Sequence, residues 1–131
     1  KWATCNVGAN SPEGYGEYYT FDDAQKLGGG RGRVPTYEEL AELKNNCDWT
    51  WTVNGYKVTS KKNGNSIFLP AAGRGDGTSV YYEDSRGYYW SSSAYDYDET
   101  TYLIFEKYGG VGTLDGSRLI GQSVRLVQDV K

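Results

Sequence analysis

The chain is 131 residues long, 37% hydrophobic and 24% charged, with 14 Lys and Arg against 17 Asp and Glu. A domain of this size buries about two-thirds of its unfolded surface, so a self-sufficient core is expected and disorder is not. The net charge of −3 disfavours a nucleic-acid partner, and the complete absence of histidine excludes Ser-His, Cys-His and His-ligated zinc chemistry.

No apolar run approaches the roughly 18 residues of a membrane-spanning helix. Eighteen glycines against three prolines suit many tight turns, and 13 tyrosines with four tryptophans suit either a core or a recognition surface. The chain opens at Lys1 without an initiator Met or a signal-peptide pattern, as a mature or excised segment would. Cys5 and Cys47 have no metal-ligand spacing. A disulfide and a pair of buried thiols are both open readings. Catalytic use of either thiol is not expected, since no histidine can activate it.

Two helices are legible in the first half. Thr20 followed by Asp23 reads as a cap, with Phe21, Ala24 and Leu27 on one face and Gly28 as the stop. In Arg33-Val34-Pro35-Thr36-Tyr37-Glu38-Glu39, Thr36 and Glu39 have capping-box spacing, and Leu40 and Leu43 carry an apolar stripe towards Cys47. The connector Gly28-Gly29-Gly30-Arg31-Gly32-Arg33 lacks the Lys-Ser/Thr of a phosphate loop and reads as a linker.

From Trp49 the period switches to two. Thr50–Val53 and Tyr56–Ser60 flank Asn54-Gly55, a strong hairpin signal, and Trp49 and Trp51 are expected on one sheet face in the core. Asn63-Gly64-Asn65 turns into the run Ile67-Phe68-Leu69, which Pro70 ends. Gly73–Ser85 reads as a loop, followed by strands at Tyr88–Ser92, Tyr102–Glu106 and Ser123–Val127. Trp90 is expected to anchor the core. Val124 and Leu126 mark a buried face, and Arg125 on the other face is expected in a structural ion pair. Gly112–Gly121 reads as a turn-rich stretch whose Leu114, Leu119 and Ile120 either form a satellite core or offer an apolar patch to a partner. The whole reads as α+β, one domain over 1–131, with two short helices and a twisted antiparallel sheet interrupted by long loops.

Five ordered blocks carry a resemblance. They are Trp2-Ala3-Thr4-Cys5-Asn6-Val7-Gly8-Ala9, Arg33-Val34-Pro35-Thr36-Tyr37-Glu38-Glu39-Leu40, Asn63 to Gly73, Gly87-Tyr88-Tyr89-Trp90-Ser91-Ser92-Ser93 and Gly121-Gln122-Ser123-Val124-Arg125-Leu126-Val127. Together they resemble the Fibrobacter succinogenes major paralogous domain family of bacterial exported and surface proteins. That family is similar to the C-type-lectin-like fold, in the branch that includes formylglycine-generating-enzyme domains. The resemblance implies this fold and a bacterial cell-surface or secreted setting, but it fixes no ligand.

A second resemblance lies in the last third. In some relatives this segment is the target of a diversity-generating retroelement that randomises adenine-rich Asn codons. Here Leu103, Phe105, Gly110, Gly112, Leu114, Asp115, Gly116, Ser117, Leu119 and Ile120 all fall within the residue set such codons yield, and no Asn follows Asn65. Tyr102, Ile104, Val111, Thr113, Arg118 and Gly121 stand between them as framework, and Glu99 and Lys107 do not fit randomised codons. The resemblance implies a variable protein whose binding surface has been diversified. Tyr95-Asp96-Tyr97-Asp98 mixes aromatic and acidic residues as a recognition loop does, with a solvated acidic loop as the alternative.

Catalysis is not expected. Formylglycine-generating relatives use cysteines in the C-terminal part of the domain, and this chain has none after Cys47. With 17 acidic residues some carboxylate pair always reaches glycosidase spacing, so their number points to nothing. The Glu-Pro-Asn, Gln-Pro-Asp and Trp-Asn-Asp tripeptides of calcium-dependent lectins are missing, as is an EF-hand loop. Asp96 and Asp98, with Glu99, are where calcium would be sought, and a glycan could stack on Tyr95 or Tyr97. The sequence therefore leads to a ligand-binding domain without cofactor or metal, for an unknown protein or glycan. A fixed structural or adhesive module of a longer surface protein is the alternative.

Overall fold

The computed structural model describes residues 2–27, 32–76, 79–94, 99–107, 110–117 and 120–128. Over these the fold is α+β. Helices α1 (Phe21–Gln25) and α2 (Tyr37–Asn45) precede three antiparallel sheets. The first is β1 (Cys47–Thr52), β2 (Gly55–Ser60) and β3 (Ser66–Pro70), and the second is the short pair β4 (Arg74–Asp76) and β5 (Ser79–Tyr81). The third, in chain order, is β6 (Arg86–Ala94), β7 (Glu99–Glu106) and β8 (Gly110–Ser117).

Both helices start at the expected caps. Thr20 Oγ1 accepts from the Asp23 amide at 3.3 Å. Thr36 Oγ1 accepts from the Glu39 amide at 3.2 Å while Glu39 accepts from the Thr36 amide at 2.8 Å. Arg33 then closes on the same carboxylate with two bonds of 2.6 and 2.8 Å. These Arg33 bonds, with the Thr36 amide, hold the Glu39 carboxyl down from 4.5 to about 2. A five-residue helix such as α1 has little stability of its own, so its packing decides. Phe21 and Ala24 are buried, and Phe21 meets the Trp90 ring edge-on at 5.6 Å.

The β1–β2 hairpin forms one residue earlier than its Asn-Gly signal implies. Thr52 pairs with Gly55, so Val53 and Asn54 make the loop, with Val53 92% exposed. A Cβ on Gly55 would run into the Leu69 carbonyl oxygen and stand 2.7 Å from Phe68 Cζ. Glycine is therefore needed there for the close approach of β3, not for the turn. Trp49 and Trp51 do share the inner face, on a strand that alternates half-buried and exposed residues. Gly73–Ser85 is not a plain loop, since it holds the β4–β5 pair.

The β6–β7–β8 sheet divides the interior. Tyr89, Leu103 and Phe105 join Leu40, Leu43, Tyr56, Val58, Leu69 and Ala71 in one cluster. Trp90 joins Phe21, Ala24, Val34, Val124 and Leu126 in a second, with Tyr102 packed against it. Alternation along β6 thus sends Tyr89 and Trp90 into different cores. Trp90 is fully buried, and its indole Nε1 donates to the Tyr19 carbonyl at 2.6 Å.

The segment Ser123–Val127 is buried throughout but runs as isolated bridges rather than as the expected strand. Trp2 and Arg33 both bridge Val127, and Ser123 bridges Tyr89. The first and last described segments are joined along their length, with Ala3 N donating to Leu126 O at 2.8 Å and Val7 N to Val124 O at 2.9 Å. Among the described residues Arg125 does not make the expected ion pair. It is 1% exposed and donates to Asn6 Oδ1 (2.9 Å), Ala3 O (3.1 Å) and Phe68 O (2.7 Å), none of them a carboxylate. Asn6 in turn donates to the Tyr89 hydroxyl at 3.0 Å, which donates to Pro70 O at 2.9 Å. Burial lowers the pKa of Arg125 and raises that of Tyr89. Cys5 and Cys47 are both half-buried free thiols, which closes the disulfide reading.

Candidate functional site

The residues expected to contact a ligand separate into three groups, with Ile120 apart from them. Leu103 and Phe105 are core residues, each 0% exposed, and neither can meet a ligand where it stands. Their period-two spacing puts both on the inner face of β7, where Leu103 lies opposite Tyr89 and Phe105 opposite Gly87. Gly87 leaves room for the Phe105 ring, which also meets Tyr56 edge-on at 5.2 Å. The set of residues that randomised codons yield overlaps the set that fills cores, and here packing governs.

Gly110, Gly112, Leu114, Asp115, Gly116 and Ser117 form a second group. They lie on β8, not in a turn-rich stretch, and pair with β7 from Glu106↔Gly110 to Glu99↔Ser117 without a slip. Within the sheet, β8 is one of the two outer strands, and β6, the other, is bridged by Gly73 and Ser123. Val111 packs against the first core and Thr113 Oγ1 donates to the Tyr37 hydroxyl at 3.3 Å, so these two fasten the strand towards α2. A Cβ added to Gly110 or Gly112 meets nothing within 4 Å. Gly110 has a φ of 86°, which favours glycine, whereas Gly112 is not in that region. Space for a side chain is therefore open at Gly112 without strain. The strand pairings gather Ala94, Glu99 and Ser117 at one end of the sheet, through Ala94↔Thr100 and Glu99↔Ser117.

The third group, Tyr95, Asp96, Tyr97, Asp98 and Leu119, lies outside the described residues. Ile120 is half-buried beside Gly121, which exchanges two 2.8 Å backbone bonds with Gly75.

A groove of about 880 Å³ lies between α2, the first sheet and the two joined outer segments, with no counterpart among the sequence expectations. Trp2, Leu43, Ile67 and Val127 are among its apolar lining, and Glu42, Lys61 and Lys62 bring charge to it. No local pattern announces it, because it is assembled from segments far apart in sequence. Cys47 also lines it. Burial, followed by the charges of Asp48 and Glu42, pushes that thiol up, so it stays protonated at neutral pH and is a poor nucleophile. Elsewhere Tyr15 donates to Asp84, and burial together with that bond raises its phenol to about 12. Such a phenol stays neutral and holds the loop rather than acting as an acid or base near pH 7.

Among the described residues no group of three or more Cys, Asp or Glu side chains is placed to hold a metal ion, and no helix is long and apolar enough to cross a membrane. Comparison of the chain with known family models, characterised proteins and solved structures gives no match.

Proposed function

We propose that this chain is a non-enzymatic ligand-binding domain of a bacterial surface or secreted protein, with a C-type-lectin-like fold. In this reading its C-terminal segment is diversified by a retroelement to meet variable protein or glycan targets. The observation that carries it is the contrast between a sealed frame and an open outer strand. Trp90, Leu103, Phe105 and Val124 are each 0% exposed, while Gly110 and Gly112 on β8 face empty space. A substitution at an open position without backbone strain, such as Gly112, changes stability by no more than about 1 kcal/mol, so one frame tolerates many surfaces. The binding face is accordingly narrower than the residue-type pattern alone implies. It comprises Gly110, Gly112, Leu114, Asp115, Gly116, Ser117, Leu119 and Ile120 with the Tyr95–Asp98 connection, and it excludes Leu103 and Phe105. Two helices ahead of antiparallel sheets, joined first and last segments and a buried Trp90 support the fold reading.

The fixed-module alternative has one observation of its own: β8 is an outer strand whose second edge could pair with a neighbouring domain. The test is a binding screen of the domain against surface proteins and glycans, with and without calcium. It is followed by joint replacement of Leu114, Asp115, Ser117 and Leu119 with Ala. Loss of binding with a nearly unchanged Tm supports the proposal. A Tm lowered by more than about 10 °C moves those residues into the frame and refutes it. In the source genome, a reverse transcriptase beside a near-copy of the last codons, differing only at adenines, is the expected companion. Its absence favours the fixed module.

A further inference from the structure

A third cluster shares no residue with the groove or with β8, and does not rest on the proposal above. Arg74 and Tyr81 are direct partners across β4 and β5. Such partners stand on one face with Cβ atoms about 5 Å apart. The Arg74 guanidinium lies over the rings of Tyr82 and Tyr88, 5.3 and 5.5 Å from their centroids. Among the described residues it meets no carboxylate and no hydrogen-bond acceptor. The neighbouring Arg86 differs, for it sits 4.0 Å over the Tyr82 ring and is engaged by Glu106 at 2.9 Å.

Arg74 is thus a half-buried cation, steadied by aromatic faces, whose planar fork of N–H donors has no hydrogen-bond or ion-pair partner among the described residues. Tyr81 beside it is 48% exposed. Tyr82, which both guanidinium groups contact, has a φ of 64°. A bulky residue in that region is strained and persists only where its surroundings enforce it.

The geometry points to a subsite for a carboxylate-bearing sugar, a uronate unit of an acidic polysaccharide. The Arg74 fork takes the carboxylate in a bidentate pair, and the exposed Tyr81 ring takes the face of the pyranose. A uronate carries its carboxylate directly on a rigid ring, so the short span between two cross-strand side chains suits it. A glutamate carboxylate on a flexible stem would leave the Tyr81 ring unused. The chain's net charge of −3 gives no broad field to attract polyanions, so recognition rests on this local pair.

The test is calorimetric titration of the whole chain, in calcium-free buffer, with tri-galacturonate, its fully methyl-esterified form and tetra-glutamate. Tri-galacturonate binds, and the ester, which keeps the rings but loses the charge, binds at least about tenfold more weakly. Arg74→Gln loses about tenfold or more, Arg74→Lys falls between, and Tyr81→Ala loses severalfold, all with a Tm close to the parent. No binding of tri-galacturonate at millimolar concentration overturns the inference. So does equal binding of the ester, or an unchanged affinity in Arg74→Gln. Tetra-glutamate binding as tightly as the sugar overturns it in favour of an acidic peptide. If Arg74→Gln proves unstable, the ester comparison and Tyr81→Ala decide in its place.

Discussion

Replacing Arg125 with Met tests whether an unpaired buried cation holds the molecule together. The guanidinium is 1% exposed and donates to a side-chain amide and two backbone carbonyls drawn from the N-terminal segment and β3. Three charge-assisted bonds at about 1.5–3 kcal/mol each give a gross loss of roughly 5–9 kcal/mol. Relief of the guanidinium's desolvation returns several kcal/mol, and Met fills most of the volume. What remains is dominated by Asn6 Oδ1, Ala3 O and Phe68 O left buried without a donor. The expected net cost is about 3 kcal/mol, a fall of roughly 10–15 °C in Tm for a chain of this size. Urea denaturation followed by tryptophan fluorescence and far-UV circular dichroism measures it. Arg125→Lys keeps the charge but cannot reach three divergent acceptors, so it also destabilises. A double-mutant cycle with Asn6→Ala should show a coupling of at least about 1 kcal/mol. An Arg125→Met protein within about 0.5 kcal/mol of the parent, or strict additivity with Asn6→Ala, refutes the reasoning.

Two glycines on neighbouring sheets should respond in opposite ways. Gly55→Ala drives a methyl group into β3 and costs about 2 kcal/mol or more, whereas Gly112→Ala is neutral or stabilising by up to about 1 kcal/mol, as read from urea midpoints. Glu39 makes stability depend on acidity. Its folded carboxyl titrates at about 2, below the ordinary 4.5, so it contributes stability that is present above the ordinary value and is lost as pH falls through about 2. Thermal melts between about pH 5 and pH 2 should therefore fall more steeply for the parent than for Glu39→Gln, and parallel slopes contradict the assignment. Trp90→Ala should cost about 3–5 kcal/mol and erase much of the near-ultraviolet dichroism, because it empties a fully buried site.

Legibility in the sequence followed the range of the interactions involved. The caps at Thr20 and Thr36 satisfy backbone donors three residues away, so their pattern is complete within a short window. The hairpin after β1 was legible, but Gly55 belongs to a packing contact with β3 that no local signal reveals. Strand β8 was not legible at all. Gly110, Gly112, Asp115 and Gly116 have low strand propensity, and only pairing with β7 makes them extended. Leu103 and Phe105 carried a period-two signal of burial that their residue types alone obscured. Arg125 between Val124 and Leu126 read as an ion-paired residue of the opposite face, yet its acceptors come from residues 3, 6 and 68, and backbone carbonyls leave no trace in composition.

The seam between Trp2–Val7 and Val124–Val127 has an architectural consequence. Because entry and exit points sit side by side, the unit can be spliced into a surface turn of a host polypeptide without prising that turn apart. For the same reason a short tether from Val127 back to Trp2, with fresh ends cut at the exposed Val53, should yield a permuted chain with the same architecture.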